Sequence, residues 1–442
     1  MKRFLVTMLC VIASANSAIE AQTLREQVEA VPSKSWEIPF PEGELIDEMV
    51  YMFRLNNRYA LNKWYRDLKG FDKQEGEYLD FEGKQEKHIR PSAHQCAILA
   101  LSLQTPVYSE AVTGVSREQA KQILFRLISS LAYRHKSNST EDKGAWGDQW
   151  QSAMWASRVA TGAWMVWEQL PPQTQEMVAR MVVHEADRFI GKSVPYYRDR
   201  DGVVLHEGDS KAEENAWNSV TMTMAIIMMP NHPNAPAWRE ANIELQLSAY
   251  SAPEDIHSRK RIDGVVMGEL LQGSNIYSDG TLVNHKRLHP DYMTSIVNNV
   301  ANVWMHKMAG IKPLSSSTHN GALVYSALTE LDFDGQTIYQ LDDNGLPTHT
   351  LYFPEGNDWG GERQANYWLM DIMAYLHKWG KGQKIKPLEW AKVRSREMVR
   401  MMDRDTTGQY YQSDAEDRFY SKEEWIGQHL AWGYLGMWMD NK

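Results

Sequence analysis

Residues 150–190 read WQSAMWASRVATGAWMVWEQLPPQTQEMVARMVVHEADRFI, two apolar-periodic runs parted by Pro171-Pro172. In both runs apolar residues recur every three or four positions rather than alternating, which is the period of an α-helix with a buried face. The proline pair interrupts the first run yet suits the first turn of a second helix. The segment therefore predicts a helical hairpin, Trp150–Gln169 followed by Gln173–Ile190.

The same pattern extends in both directions. Upstream it predicts helices over Glu44–Leu68, His88–Leu103 and Arg117–His135, the last opened by Ser116 and Gln119 at capping-box spacing. Downstream it predicts Lys211–Met229, Pro236–Tyr250, Asp291–Ala309, His319–Leu331, Arg363–Trp379, Leu388–Asp403 and Glu423–Met439. About a dozen helices joined mostly by short turns, with no recurring fixed-period motif, predict an all-α fold rather than a repeat array. The expected architecture is an (α/α) toroid of about six or seven helical hairpins, one domain over residues 22–442. One β-hairpin insertion is expected in Thr337–Phe353, around the turn signal Asp342-Asp343-Asn344-Gly345.

With 442 residues, 43% of them hydrophobic and 24% charged, a large core is easily built. The 17 Trp and 20 Tyr can fill that core and also offer flat apolar platforms for the C–H faces of sugar rings. A net charge of −10 argues against nucleic acid as the main ligand. Two basic patches stand out, Arg259-Lys260-Arg261 and Lys286-Arg287. Lys2 and Arg3, the apolar run Phe4–Ala13, and the small residues Ala15, Ser17, Ala18 and Ala21 read as a secretory signal. Residues 1–21 are expected to be removed, with cleavage between Ser17 and Gln22, giving an exported periplasmic or extracellular protein. Cys10 has no lipoprotein box before it, and Cys96 alone then remains, which excludes an intrachain disulfide. No segment is apolar enough to span a membrane.

Two glycine-rich stretches resist the helical pattern, Ser251–His289 and Phe353–Arg363, and long loops on a helical scaffold are commonly functional. The first runs into SDGTLVNHKRLHPDYM, residues 278–293, which holds His285, His289 and Tyr292 at the junction of a loop and a new helix. A neutral imidazole is a suitable base near neutral pH, and a phenol readily acts as an acid. Three polar-aromatic runs at predicted helix starts are candidate sugar contacts: Arg90 with His94; Trp146, Gln149 and Gln151; and Asp358 and Trp359 leading to Arg363. Glu214, Arg287 and His289 join them. Glu254 and His257 form the one Glu-x-x-His pair and lack a third ligand nearby, so neither a metal nor a cofactor is expected.

The run Asp279-Gly-Thr-Leu-Val-Asn-His285 resembles the Asp-Gly-Ser-Phe-x-Gln-His run of α/α-toroid polysaccharide lyases, among them heparinase II/III-like, chondroitin AC and hyaluronate lyases. In length and helical character the chain is most similar to polysaccharide lyase family 38, whose members act on glucuronan or alginate. The resemblance implies a catalytic Tyr after the His, a place Tyr292 takes seven residues on. It also implies an earlier Asn that neutralises the substrate carboxylate, a place Asn215 takes within Glu213–Asn218. The reaction so implied is β-elimination on an acidic polysaccharide, with Asn215 aided by His289 or Arg287 and with His285 and Tyr292 moving protons. A glycoside hydrolase on the same scaffold would instead need paired carboxyl groups, for which Asp148, Glu214 and Asp358 are available. A non-catalytic glycan-binding protein is the third reading.

Overall fold

The computed structural model describes residues 23–139 and 145–441. The expected signal segment 1–21, with Cys10, lies outside the described residues. Among the described residues there are twelve α-helices of nine residues or more. They are α1 (Glu44–Arg58), α2 (Glu86–Gln104), α3 (Arg117–Tyr133), α4 (Ser152–Met165), α5 (Pro172–Asp187) and α6 (Ala212–Met228). The second half contributes α7 (Ala235–Ala249), α8 (Val297–Met308), α9 (Gly321–Thr329), α10 (Gln364–His377), α11 (Pro387–Met402) and α12 (Lys422–Met439). Each expected helical run overlaps one of them, and Pro172 opens α5 as its position suggests, while Pro387 opens α11 in the same way.

Even- and odd-numbered helices differ in burial. Every residue of α4 is buried, as are nearly all of α8 and most of α2, α6, α10 and α12. A helix apolar or small on all sides must be surrounded by protein. The packing matches this. α2 packs on α4, α4 on α6, α6 on α8, α8 on α10 and α12, α10 on α12, and α12 back on α2. The odd-numbered helices lie against this circuit: α1 on α12, α3 on α2, α5 on α4 and α6, α7 on α6, α9 and α11 on α10. The crossing of α2 on α4 depends on Gly162, where an added Cβ would stand 2.4 Å from the Cys96 carbonyl oxygen.

β-structure among the described residues is confined to two-stranded ribbons. Tyr339–Leu341 pairs antiparallel with Pro347–Leu351 around the expected turn, where the Asp342 carboxylate accepts from the Asn344 and Leu346 amides. A smaller hairpin, Val283–Asn284 with Arg287–Leu288, precedes α8. No helix of the described residues is long and apolar enough to cross a membrane.

Candidate active site

The amino-terminal ends of all six even-numbered helices, with the loops that lead into them, open onto one cleft of about 440 Å³. Glu86 and Arg90 come from α2, Gln151 precedes α4, and Glu213 and Trp217 come from α6. Tyr292 lies on the helical turn before α8, Trp359, Arg363 and Asn366 mark the entry to α10, and Trp425 is on α12. Each helix end carries unsatisfied N–H groups and about half a positive charge. Six of them face one cleft, where they lie beside the acids Glu86, Glu207, Asp209, Glu213 and Asp291.

His285 is placed by the small hairpin. It and Lys286 are the two central residues of the turn, both at positive φ (52° and 62°), the pattern of a type I′ hairpin turn. Asn-Gly is the sequence that suits such a turn, so two bulky residues there are conformationally costly. The surroundings hold them: the Asn284 carboxamide oxygen accepts from the His285 amide, and the Lys286 amide donates to the Gly208 carbonyl. Gly208, itself at φ +67°, lies so close that a Cβ would be 2.8 Å from the Lys286 Cα. The turn aims the His285 ring into the cleft.

The ring stands in a chain of three hydrogen bonds. The Asp358 carboxylate meets His285 Nδ1 at 2.7 Å and His289 Nε2 at 3.0 Å, and the Tyr292 hydroxyl meets His285 Nε2 at 2.9 Å. An ionised carboxylate only accepts, so His285 carries its proton on Nδ1, leaving Nε2 to accept from Tyr292. Burial raises the Asp358 carboxyl, but the bonds from His285 and His289 outweigh it and hold the group below its ordinary value. Burial lowers His289, against the pull of Asp291 and Asp358. Burial also raises Tyr292, against the opposing hydrogen bond of the Trp359 indole, so the phenol is protonated at neutral pH. Trp359 walls the group, its ring 5.3 Å from that of His285.

The other expected contacts divide. Arg90, Gln151, Trp359 and Arg363 line the cleft. Arg90 pairs with Glu86 at 2.5 Å, bonds the Gln151 carboxamide and lies over the rings of Phe419 and Trp425. Arg363 is clamped by Asp417 at 2.9 Å, with Asp291 at 3.6 Å. Four expected contacts are corrected. Trp146 is fully buried with its indole N–H on the Leu131 carbonyl. His94 is buried behind Trp425, and burial drives its pKa well down. The Gln149 carboxamide accepts from the Gly147 amide and shapes a turn. Arg287 reaches instead toward Gly356 and is not among the residues that line the cleft.

Asn215 is corrected too. It lines a separate cavity, and its amide donates to the Pro195 carbonyl and the Ser248 hydroxyl. The reason is helical geometry: Glu213 and Trp217, four apart, share the face of α6 that meets the cleft, and Asn215 is turned about 200° from Glu213. Glu214 shares that second cavity and accepts from the Trp150 indole at 2.9 Å. Asp148 is away from the cleft, held by Lys136 and His184.

Two other polar side chains line the cleft that Asn215 does not reach, Asn366 and Glu213. Asn366 gives its carboxamide oxygen to the Trp425 indole at 2.9 Å, which leaves its NH₂ end for the cleft. Burial raises the Glu213 carboxyl to about 8, with Arg90 opposing and Glu214 and Asp209 adding, so it is an un-ionised acid at neutral pH. Both are first-turn residues of inner helices, as Arg90 nearly is, and that shared position was the usable sequence signal. Among the described residues two clusters have donor atoms close enough to hold a metal ion, His285–His289–Asp358 and Asp148–His184–Glu185, each with its atoms within 4.8 Å of one another. The second is already paired with Lys136, His135 and Arg188.

Comparisons with protein-family models, curated proteins and solved structures returned no match. The functional reading therefore rests on the cleft.

Proposed function

We propose that the protein is an exported polysaccharide lyase that cleaves a uronic-acid-containing glycan, of the alginate or glucuronan type, by β-elimination. The observation that carries this reading is the Asp358–His285–Tyr292 chain on the wall of the aromatic cleft, with Tyr292 and His285 2.9 Å apart. The closed circuit of even-numbered helices, with the odd ones outside, supports an (α/α) toroid of six hairpins.

β-Elimination removes the C5 proton of a uronic acid and expels the C4 oxygen. Two groups at 2.9 Å reach one face of a sugar ring, which suits a substrate whose C5 proton and C4 oxygen lie on the same side. The Tyr292 hydroxyl turns to the C4 oxygen and frees His285 Nε2. His285 takes the C5 proton, the electron pair forms the C4–C5 double bond, and the C4–O bond breaks as Tyr292 protonates the departing oxygen. The proton then passes from His285 to Tyr292 and restores the pair. Asp358 stabilises the transient imidazolium, as a carboxylate does on the far nitrogen of any catalytic imidazole. The neutral donors Asn366 and Glu213 hydrogen-bond the substrate carboxylate and the negative charge that builds on it. Lys286, exposed on the rim, attracts the anionic chain.

One observation favours a second reading. A carboxyl raised to about 8, as in Glu213, is also what a glycoside hydrolase uses as its general acid. The test is incubation with glucuronan, alginate, hyaluronan and pectin while following ultraviolet absorbance of the new conjugated double bond. Elimination gives that absorbance, hydrolysis gives reducing ends without it, and a binding protein gives neither.

A further inference from the structure

The cavity that receives Asn215 has a lining of its own. It measures about 260 Å³ and lies between α6, α7 and the chain after α5. Trp150 borders both it and the catalytic cleft. That indole is 57% exposed, an open platform rather than a core residue, and is steadied by its bond to Glu214.

Two side chains on α6 point to a ligand. Asn215 is fully buried and Asn218 is 8% exposed, and the carboxamide oxygens of both lack a hydrogen-bond partner. A buried acceptor left without a donor costs about 1–3 kcal/mol, so two in one small cavity mark a place where donors arrive from outside. Glu214 and Glu244 add carboxyl acceptors to the same wall. The guanidinium of Arg188 is spent within the protein, on Glu185, Ser152 and the Gln149 carbonyl. The cavity thus offers mainly acceptors and an aromatic platform. Such a lining suits a ring with several hydroxyl donors, with the Lys192 ammonium on the same wall lying over the Phe189 ring. Its volume lies just below the range of about 300–1,000 Å³ typical of small-molecule sites, the scale of a single ring.

We propose that this cavity is a saccharide subsite for one neutral, hydroxyl-rich pyranose, adjoining the catalytic cleft across Trp150. The proposal rests on the reading of the cleft as a glycan site and moves the substrate from a pure polyuronate, such as alginate or glucuronan, to a glycan that carries neutral sugar units alongside its uronic acids. Asn215 and Asn218 accept hydroxyl hydrogen bonds, and Trp150 stacks on the apolar face of the ring.

The test uses the whole protein and the methyl glycosides of glucose, mannose and galactose, with binding followed by ligand-observed nuclear magnetic resonance. At least one glycoside is expected to bind saturably. Its affinity should fall tenfold or more in Asn218→Leu, and in Ala241→Trp, which fills the cavity from its half-exposed rim on α7. His285→Ala should bind as wild type does. Absence of saturable binding, equal affinity in both cavity variants, or loss of binding in His285→Ala would each overturn the proposal. Elimination activity on uronans is measured separately. Active protein that ignores neutral glycosides removes the subsite alone; glycoside binding without elimination removes the lyase reading alone.

Discussion

Glu213→Gln separates the two chemistries the cleft can support. The change keeps shape and keeps a neutral hydrogen-bond donor, but removes the transferable proton. The carboxyl is raised from its ordinary 4.5 to about 8 because burial near Glu214 and Asp209 outweighs the charge of Arg90. At about 1.4 kcal/mol per tenfold, that difference corresponds to ~5 kcal/mol for a fully enclosed group. Glu213 keeps an edge on the cleft, so ~2–3 kcal/mol is expected once solvent screening is included. Below pH 4.5 the acid is protonated folded and unfolded, and it adds no pH dependence. Between 4.5 and about 8 the unfolded chain ionises while the folded one does not, so stability falls as pH rises. Above about 8 both states are ionised and the loss is complete. Urea unfolding at pH 5 and pH 9 should therefore show wild type losing ~2–3 kcal/mol more than Glu213→Gln across that interval. Kinetics supply the second readout. If Glu213 is a neutral donor to a uronate, the glutamine variant keeps most of its turnover and loses the decline that wild type shows above about pH 8. An inert glutamine variant at every pH, with the fold intact, would refute the donor role and favour the hydrolase. An unchanged high-pH limb would show that the carboxyl does not titrate there.

Further outcomes follow from the same geometry. Tyr292→Phe and His285→Ala should each lower kcat by about 10²–10⁴-fold, the usual worth of a positioned proton transfer. Thermal unfolding of Tyr292→Phe should move little, because one cleft-side hydrogen bond is worth about 0.5–1.5 kcal/mol. Asp358→Asn should cut kcat with little change in KM, since it disturbs the orientation and tautomer of His285 while leaving the cleft wall in place; retained turnover would remove the relay. Incubation with a chelator should leave elimination unchanged, and an activity lost to chelation and restored by a divalent ion would make His285, His289 and Asp358 metal ligands instead. Gly162→Ala should destabilise by about 1–3 kcal/mol in denaturant melts, because its Cβ would overlap the α2 backbone at Cys96.

Periodicity alone determined the helices of this chain, because a recurrence of three and four is written locally by residues such as those of Trp150–Gln169. The clustering of His285 and Tyr292 was legible for the same reason: seven residues across one turn and one helix start leave little room for them to part. Asp358 had only its place in a glycine-rich loop to recommend it; its position between two imidazoles, 73 and 69 residues away in sequence, is made by packing. Asn215 and Glu213 show what a linear reading cannot assign. They stand two residues apart at one helix start, and the motif pointed to the Asn. Which one meets the cleft depends on how α6 is rotated against α4 and α8, and that rotation is chosen by the fit of whole buried faces. Trp146 and His94 went inward by the same selection. Chemistry-bearing residues can be listed from the chain, but the side of a helix they occupy is decided by everything packed around it.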